Sequence, residues 1–172
     1  MGERMPRRGG PGATAAELIR ALTDRGLTIA SAESLTGGLL AAALVDVPGA
    51  SLVFNGGIVA YATPLKRTIL GVDEDLLAER GAVDAEVARQ MADRVRRVCA
   101  VDGRPADLGV ATTGVAGPDP QDGRAPGTVF IGVAMGDQVD VIALELSGDR
   151  AEIRSAAVGA AIDAALARLA RD

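Results

Sequence analysis

Apolar residues recur along this chain with two spacings, and those spacings divide it into alternating helices and strands. Leu18, Ile19 and Leu22 fall on one helical stripe between Thr14 and Gly26. Thr14 is the expected N-cap, Glu17 three residues on completes a capping box, and Gly26 marks the stop. Residues 27–31 read as a short buried strand. Thr36 is expected to cap a second helix through Leu39, Leu40, Ala43 and Leu44, stopped by Pro48-Gly49. Residues 52–61 are rich in β-formers but broken by Gly56-Gly57, which predicts a bulged or bent strand, or two short ones. A short helix follows around residues 64–70.

The clearest amphipathic pattern begins at Asp84, a predicted cap. Val87, Met91, Val95 and Val98 recur at spacings of 4, 4 and 3, while Glu86, Arg89, Asp93, Arg96 and Arg97 face away. Residues 108–111 form an apolar strand that runs into a loop over 117–127, dense in Pro, Gly and Asp. Strands at 127–135 and 139–146 meet at Gly136-Asp137, the signature of a hairpin. A last helix starts near Asp149, with Glu152 placed for a second capping box and Val158, Ile162 and Leu169 on its apolar face. Alternating helices and strands followed by a hairpin predict a single-domain, three-layer α/β/α sandwich with a mixed β-sheet over residues 14–172. Residues 1–13 carry Arg4, Arg7 and Arg8 among four Gly and two Pro, the composition of a disordered basic tail.

Composition narrows the chemistry. The 172 residues include no His, no Trp, one Cys, one Tyr and two Phe. Without an imidazole no Ser-His-Asp or Cys-His site can be built, and structural zinc lacks ligands, so no metal is expected. One Cys cannot form a disulfide within the chain, and no cationic segment leads into a long apolar one, so a cytoplasmic location is expected. No apolar run reaches the roughly 18 residues of a membrane span. A net charge of −5 and three aromatic residues argue against nucleic acid as a partner, which leaves a small molecule.

Four segments could carry chemistry. Ala32-Glu33-Ser34-Leu35-Thr36-Gly37-Gly38 sits where a strand turns into a helix. Its N–H groups suit a phosphate or a developing oxyanion, or else Ser and Thr merely cap the helix. In Tyr61-Ala62-Thr63-Pro64-Leu65-Lys66, Lys66 is the only lysine among 18 basic residues. A lysine can act as a general base when burial lowers its pKa, which an arginine cannot, although codon bias alone also depletes lysine. Thr112-Thr113-Gly114-Val115-Ala116-Gly117-Pro118 is either a phosphate-cradling loop or a plain turn. In Ser147-Gly148-Asp149-Arg150, Arg150 could clamp a phosphate or carboxylate, beside a capping role for the segment. Asp119 and Asp122 offer two loop carboxylates to a divalent cation, too few on their own to define a site.

Taken together these segments resemble the CinA C-terminal domain family, whose active members are nicotinamide-nucleotide amidases. The matching stretches are AESLTGGLLAAALVDVPGAS (32–51), FNGGIVAYATPLKRTILGV (54–72), GAVDAEVARQMA (81–92), TTGVAGPD (112–119), PGTVFIGVA (126–134) and SGDR (147–150), in the family's order and spacing. The resemblance implies an amidohydrolase that converts nicotinamide mononucleotide to nicotinate mononucleotide and ammonia through an acyl-enzyme, with no cofactor. Carried onto this chain it makes Ser34 the nucleophile, Lys66 its base and Tyr61 a third member of the catalytic set. Thr113, Gly114 and Arg150 become substrate-binding, and the assembly a homodimer. The dipole at the start of the second helix adds Thr36, Gly37 and Gly38 to the substrate-binding set, their N–H groups holding either the oxyanion or the substrate phosphate. Two positions depart from the family's pattern: Leu35 replaces a common Cys, and Thr63-Pro64-Leu65 replaces Asn-Glu-Ala. The alternative is a non-catalytic nucleotide-binding or interaction domain of the competence/damage-inducible type.

Overall fold

The computed structural model describes residues 14–171; the expected tail at 1–13 lies outside the described residues. Local capping sets most helix boundaries. Helix α1 (Ala15–Arg25) opens on the predicted box, Glu17 N–H donating to Thr14 Oγ1 and Thr14 N–H to Glu17 Oε2, and it closes at Gly26 with φ +64°. Strand β1 (Ile29–Glu33) starts two residues later than expected, because Thr28 is held by Asp107 Oδ2 through both its N–H and its hydroxyl. Helix α2 (Leu39–Val45) also starts late. Its cap position is Gly38 and not Thr36, whose hydroxyl is drawn inward to Glu33 and Thr112. A single 3₁₀ turn (Ala50–Leu52) leads into β2 (Phe54–Val59), where the pairing skips Asn55 and produces the expected bulge.

Helices α3 (Thr63–Thr68), α4 (Glu74–Arg80) and α5 (Ala85–Val98) follow, with Pro64 in the first turn of α3 and Asp84 capping α5 through Glu86 N–H. The apolar pattern gave no sign of α4, a two-turn helix with no buried residue. Strand β3 (Leu108–Gly114) precedes the hairpin of β4 (Thr128–Met135) and β5 (Gln138–Glu145), and α6 (Arg150–Leu169) opens on the Asp149–Glu152 box. The strand order is β2-β1-β3-β4-β5. β2, β1 and β3 pair in parallel and β4 pairs antiparallel with both β3 and β5, so the sheet is mixed with β4 the one reversed strand among those described.

The two faces of this sheet are built differently. On one face Ile29, Leu108, Val110, Val129, Ile131 and Val133 pack against aliphatic side chains of α1, α2 and α6. On the other, α5 presses onto Ala30, Ala32, Ala111 and Ala134. Gly109 and Gly132 let it come closer still. A Cβ at Gly109 would lie 2.0 Å from Ala92 O, and one at Gly132 would lie 2.4 Å from Ala88 O. The result is a compact three-layer α/β/α domain with β1 and β3 buried along their whole length. Among the described residues no helix is long and apolar enough to cross a membrane.

Candidate active site

In an open α/β sheet a crevice forms beyond the carboxyl ends of the strands, where successive connections leave in opposite directions. Here that point lies between β1 and β3, because the chain leaves β1 first for β2 on one side and later for β3 on the other. Ser34 is the first residue after β1, with its N–H on Thr112 O at 3.0 Å. It is 8% exposed, and a pocket of about 120 Å³ opens over it, lined also by Leu35, Tyr61, Gly114, Gly117 and Arg150. Whole-ligand sites run to several hundred Å³, so this pocket has room for about one planar ring.

Lys66 reaches Ser34 from α3. It sits in the last turn of α3, fully buried, and its Nζ donates to Ser34 Oγ at 3.0 Å, to Ala60 O at 2.7 Å and to Tyr61 O at 3.4 Å. All three partners are neutral oxygens. Burial pushes the amine down from 10.5 to about 8, with Asp122 opposing the fall. About a tenth of such an amine is neutral at pH 7, against roughly one part in 3,000 for an ordinary lysine. When Nζ is neutral its two hydrogens suffice for the two carbonyls. Its lone pair then faces Ser34 Oγ, where it can accept the hydroxyl proton.

Glu33 precedes Ser34 and is equally buried, yet it is fully hydrogen-bonded. Its carboxylate accepts from Thr36 Oγ1 (2.6 Å), Gly38 N–H (3.0 Å), Leu40 N–H (3.0 Å) and Ala41 N–H (2.8 Å). It therefore caps α2 from the preceding strand. The Gly37 N–H is likewise used, by Ser34 O at 3.0 Å. Of the 36–38 segment read as an anion cradle, the Gly37 and Gly38 donors thus serve the fold.

Of the other residues singled out in the sequence, Tyr61, Gly114 and Arg150 line the pocket. Arg150 donates to Tyr61 Oη at 3.1 Å and to Gly117 O at 2.6 Å, which ties β2's exit, the 114–117 loop and α6 together around its mouth. Thr113 is not brought to the pocket: it is fully buried and its hydroxyl donates to Ala82 O at 2.6 Å. Thr36 is buried as well. Asp122 accepts from Ala82 N–H, and among the described residues no group of three or more His, Cys, Asp or Glu could hold a metal ion. Arg154 gave no signal in the sequence beyond its place one turn after Arg150. It nevertheless donates to Leu35 O (2.8 Å) and Thr36 O (3.1 Å), directly behind Ser34.

A larger hollow, about 570 Å³, lies among Gly26, Thr28, Phe54, Asn55, Arg104 and Asp107. Those residues precede or begin β1, β2 and β3, which puts the hollow at the opposite end of the sheet, away from the serine–lysine pair. Volume and chemistry thus point to different ends, and the chemistry decides for Ser34.

Fold and site together define a three-layer α/β/α domain that presents a serine and a desolvated lysine at its switch point. Residues 12–169 match the CinA C-terminal domain family, and the chain belongs to that family. It is 51% identical over 142 residues to a CinA-like protein of Frankia casuarinae, a stretch covering 83% of this chain and 32% of that protein. The chain spans about a third of the length of the sequence relatives it matches. Among solved structures, a CinA superfamily protein from Klebsiella pneumoniae superposes with a TM-score of 0.86 at 30% identity, covering 92% of this chain and 96% of that one. The competence/damage inducible protein CihA of Agrobacterium tumefaciens does so with 0.81 at 34% identity, over 91% and 93% of the two chains.

Proposed function

We propose that this domain hydrolyses the carboxamide of nicotinamide mononucleotide, releasing ammonia and nicotinate mononucleotide through an ester on Ser34. The observation that carries the reading is the 3.0 Å contact between Ser34 Oγ and a fully buried lysine whose partners are all neutral. In the first half-reaction Lys66 Nζ takes the Ser34 hydroxyl proton as Oγ bonds to the carboxamide carbon. The tetrahedral intermediate collapses with cleavage of the C–N bond, and the Lys66 ammonium returns the proton to the departing amine. Water then attacks the ester with Lys66 again as base, and Ser34 Oγ recovers its proton as the acid leaves. The ring-sized pocket over Ser34 suits the pyridine carboxamide, and Tyr61 and Arg150 at its mouth suit the ribose phosphate.

The test is ammonia release from the mononucleotide by purified protein. Turnover by the unaltered chain, lost on Ser34→Ala and Lys66→Ala with folding intact, is the expected result. Lys66→Arg is expected to be equally inactive, since a guanidinium stays protonated. Tight binding of the nucleotide without any ammonia would overturn this reading and favour the non-catalytic nucleotide-binding domain.

A further inference from the structure

The turn after Ser34 has successive carbonyls pinned from different directions. Ser34 O accepts from Gly37 N–H at 3.0 Å, while Leu35 O and Thr36 O accept from Nε and Nη2 of Arg154 at 2.8 and 3.1 Å. In a planar trans peptide the C=O and the N–H point in opposite directions. Holding Ser34 O therefore aims the Leu35 N–H away from Gly37, and holding Leu35 O aims the Thr36 N–H away from Arg154. The neighbouring donors are all engaged: Ser34 N–H by Thr112 O, Gly37 N–H by Ser34 O, and Gly38 N–H by Glu33. That leaves the N–H groups of Leu35 and Thr36 as the donors in this turn with no acceptor among the described residues. Successive free N–H groups of this kind form a concavity for an anion, and this one adjoins the wall of the pocket made by Ser34 and Leu35.

Arg154 itself does not line the pocket. It is half-buried in α6, it bonds a turn 119 residues away, and its Nη2 lies 3.3 Å from where a Cβ on Gly37 would sit. Gly37 at φ +58° gives the guanidinium room to come that close. We propose that Arg154 is a positioning residue for the oxyanion hole: it locks the Leu35–Thr36 peptide so that the Thr36 N–H donates, beside the Leu35 N–H that the Ser34–Gly37 turn aims, to the oxygen of the tetrahedral intermediate on Ser34. The inference rests on the amidase reading above. It moves the hole one residue toward Ser34 from the start of α2, whose donors Glu33 consumes.

A hole that is formed but loosely held lowers the rate of the chemical step more than it weakens substrate binding. Arg154→Ala is therefore expected to lower kcat for ammonia release about 10- to 100-fold with KM changed less than about threefold, since misplacement of this order costs up to ~10². The pH midpoint of the rate, set by Lys66, should stay where it is in the unaltered protein. Arg154→Lys, which can still reach one carbonyl, should recover part of the loss, and added guanidinium should recover part of it in Arg154→Ala. A kcat within twofold of the unaltered protein would overturn the assignment. So would a loss carried wholly by KM, or one accompanied by a shifted pH midpoint. Should Arg154→Ala not fold, the Lys variant gives the same reading through its kcat and KM. An unaltered protein that releases no ammonia defeats the amidase reading itself, and this inference falls with it.

Discussion

The two polar regions that flank Ser34 bury opposite charges by opposite means. Glu33, at the end of β1, receives a hydroxyl and three backbone N–H groups, so the helix start it caps supplies a complete replacement for water. Lys66, at the end of α3, receives a hydroxyl and two carbonyls and has no counter-charge bonded to it. A buried ion that is fully solvated by the protein belongs to the scaffold. One that is incompletely solvated has a reason to give up its proton, and a hydroxyl 3.0 Å away offers the freed lone pair another to accept.

If that contrast is right, removing each ion must have a different signature. Lys66→Met should reduce ammonia release by about 10³-fold or more, because a positioned general base contributes ~10²–10⁴. It should not unfold the protein, and steady-state assay beside thermal denaturation would show both. Next in size is the pH dependence of stability. Between pH 8 and 10.5 the unfolded chain holds a proton that the native protein has released, so native stability rises with pH across that window. Below it the penalty for Lys66 is carried in full, about 3 kcal/mol at ~1.4 per pH unit. Denaturant titrations at pH 7 and 9.5 should therefore show the unaltered protein gaining ~2 kcal/mol relative to Lys66→Met. A constant gap would mean the lysine is not desolvated. The rate of ammonia release should rise over the same region, through a midpoint near 8.

Glu33 should behave in the reverse way. Glu33→Gln turns an amide NH₂ toward donors that need an acceptor, and about 2–3 kcal/mol of stability should be lost. Whatever activity the folded fraction retains should keep its pH midpoint, because Lys66 and its three oxygen partners are untouched. The smallest effect belongs to Thr36→Val, which removes one donor from Glu33 and the link to Thr112. It should cost about 1 kcal/mol, read as a shift in the denaturation midpoint.

The features legible in the sequence are those whose causes are local. Thr14 with Glu17, Asp84, and Asp149 with Glu152 declare their helices because cap and partner lie within three residues. The Gly136-Asp137 turn likewise announces its hairpin. Lys66 stood out by rarity, and its contact with Ser34 spans 32 residues that no periodicity links. What escaped the sequence depends on groups brought together from afar. Glu33 takes the capping role expected of Thr36 because the strand end points its carboxylate at α2, and Thr113 turns to Ala82 because α5's entry passes over β3. Arg154 is silent for the same reason. Helix α4 was missed on other grounds: it buries no side chain, so it leaves no stripe to detect.

The close seating of α5 on Gly109 and Gly132 also bears on time. Helix and central strands without space between them open only together, so the amides of β1 and β3 are released to solvent only when the whole domain unfolds. Ser34 hangs from that slow block. Lys66 instead belongs to a short helix that follows an edge strand and precedes one with no buried residue, so its amides are expected to exchange faster than those of β1 and β3. Ser34 and Lys66 are thus expected to keep different clocks, the lifetime of their contact being set by the faster one.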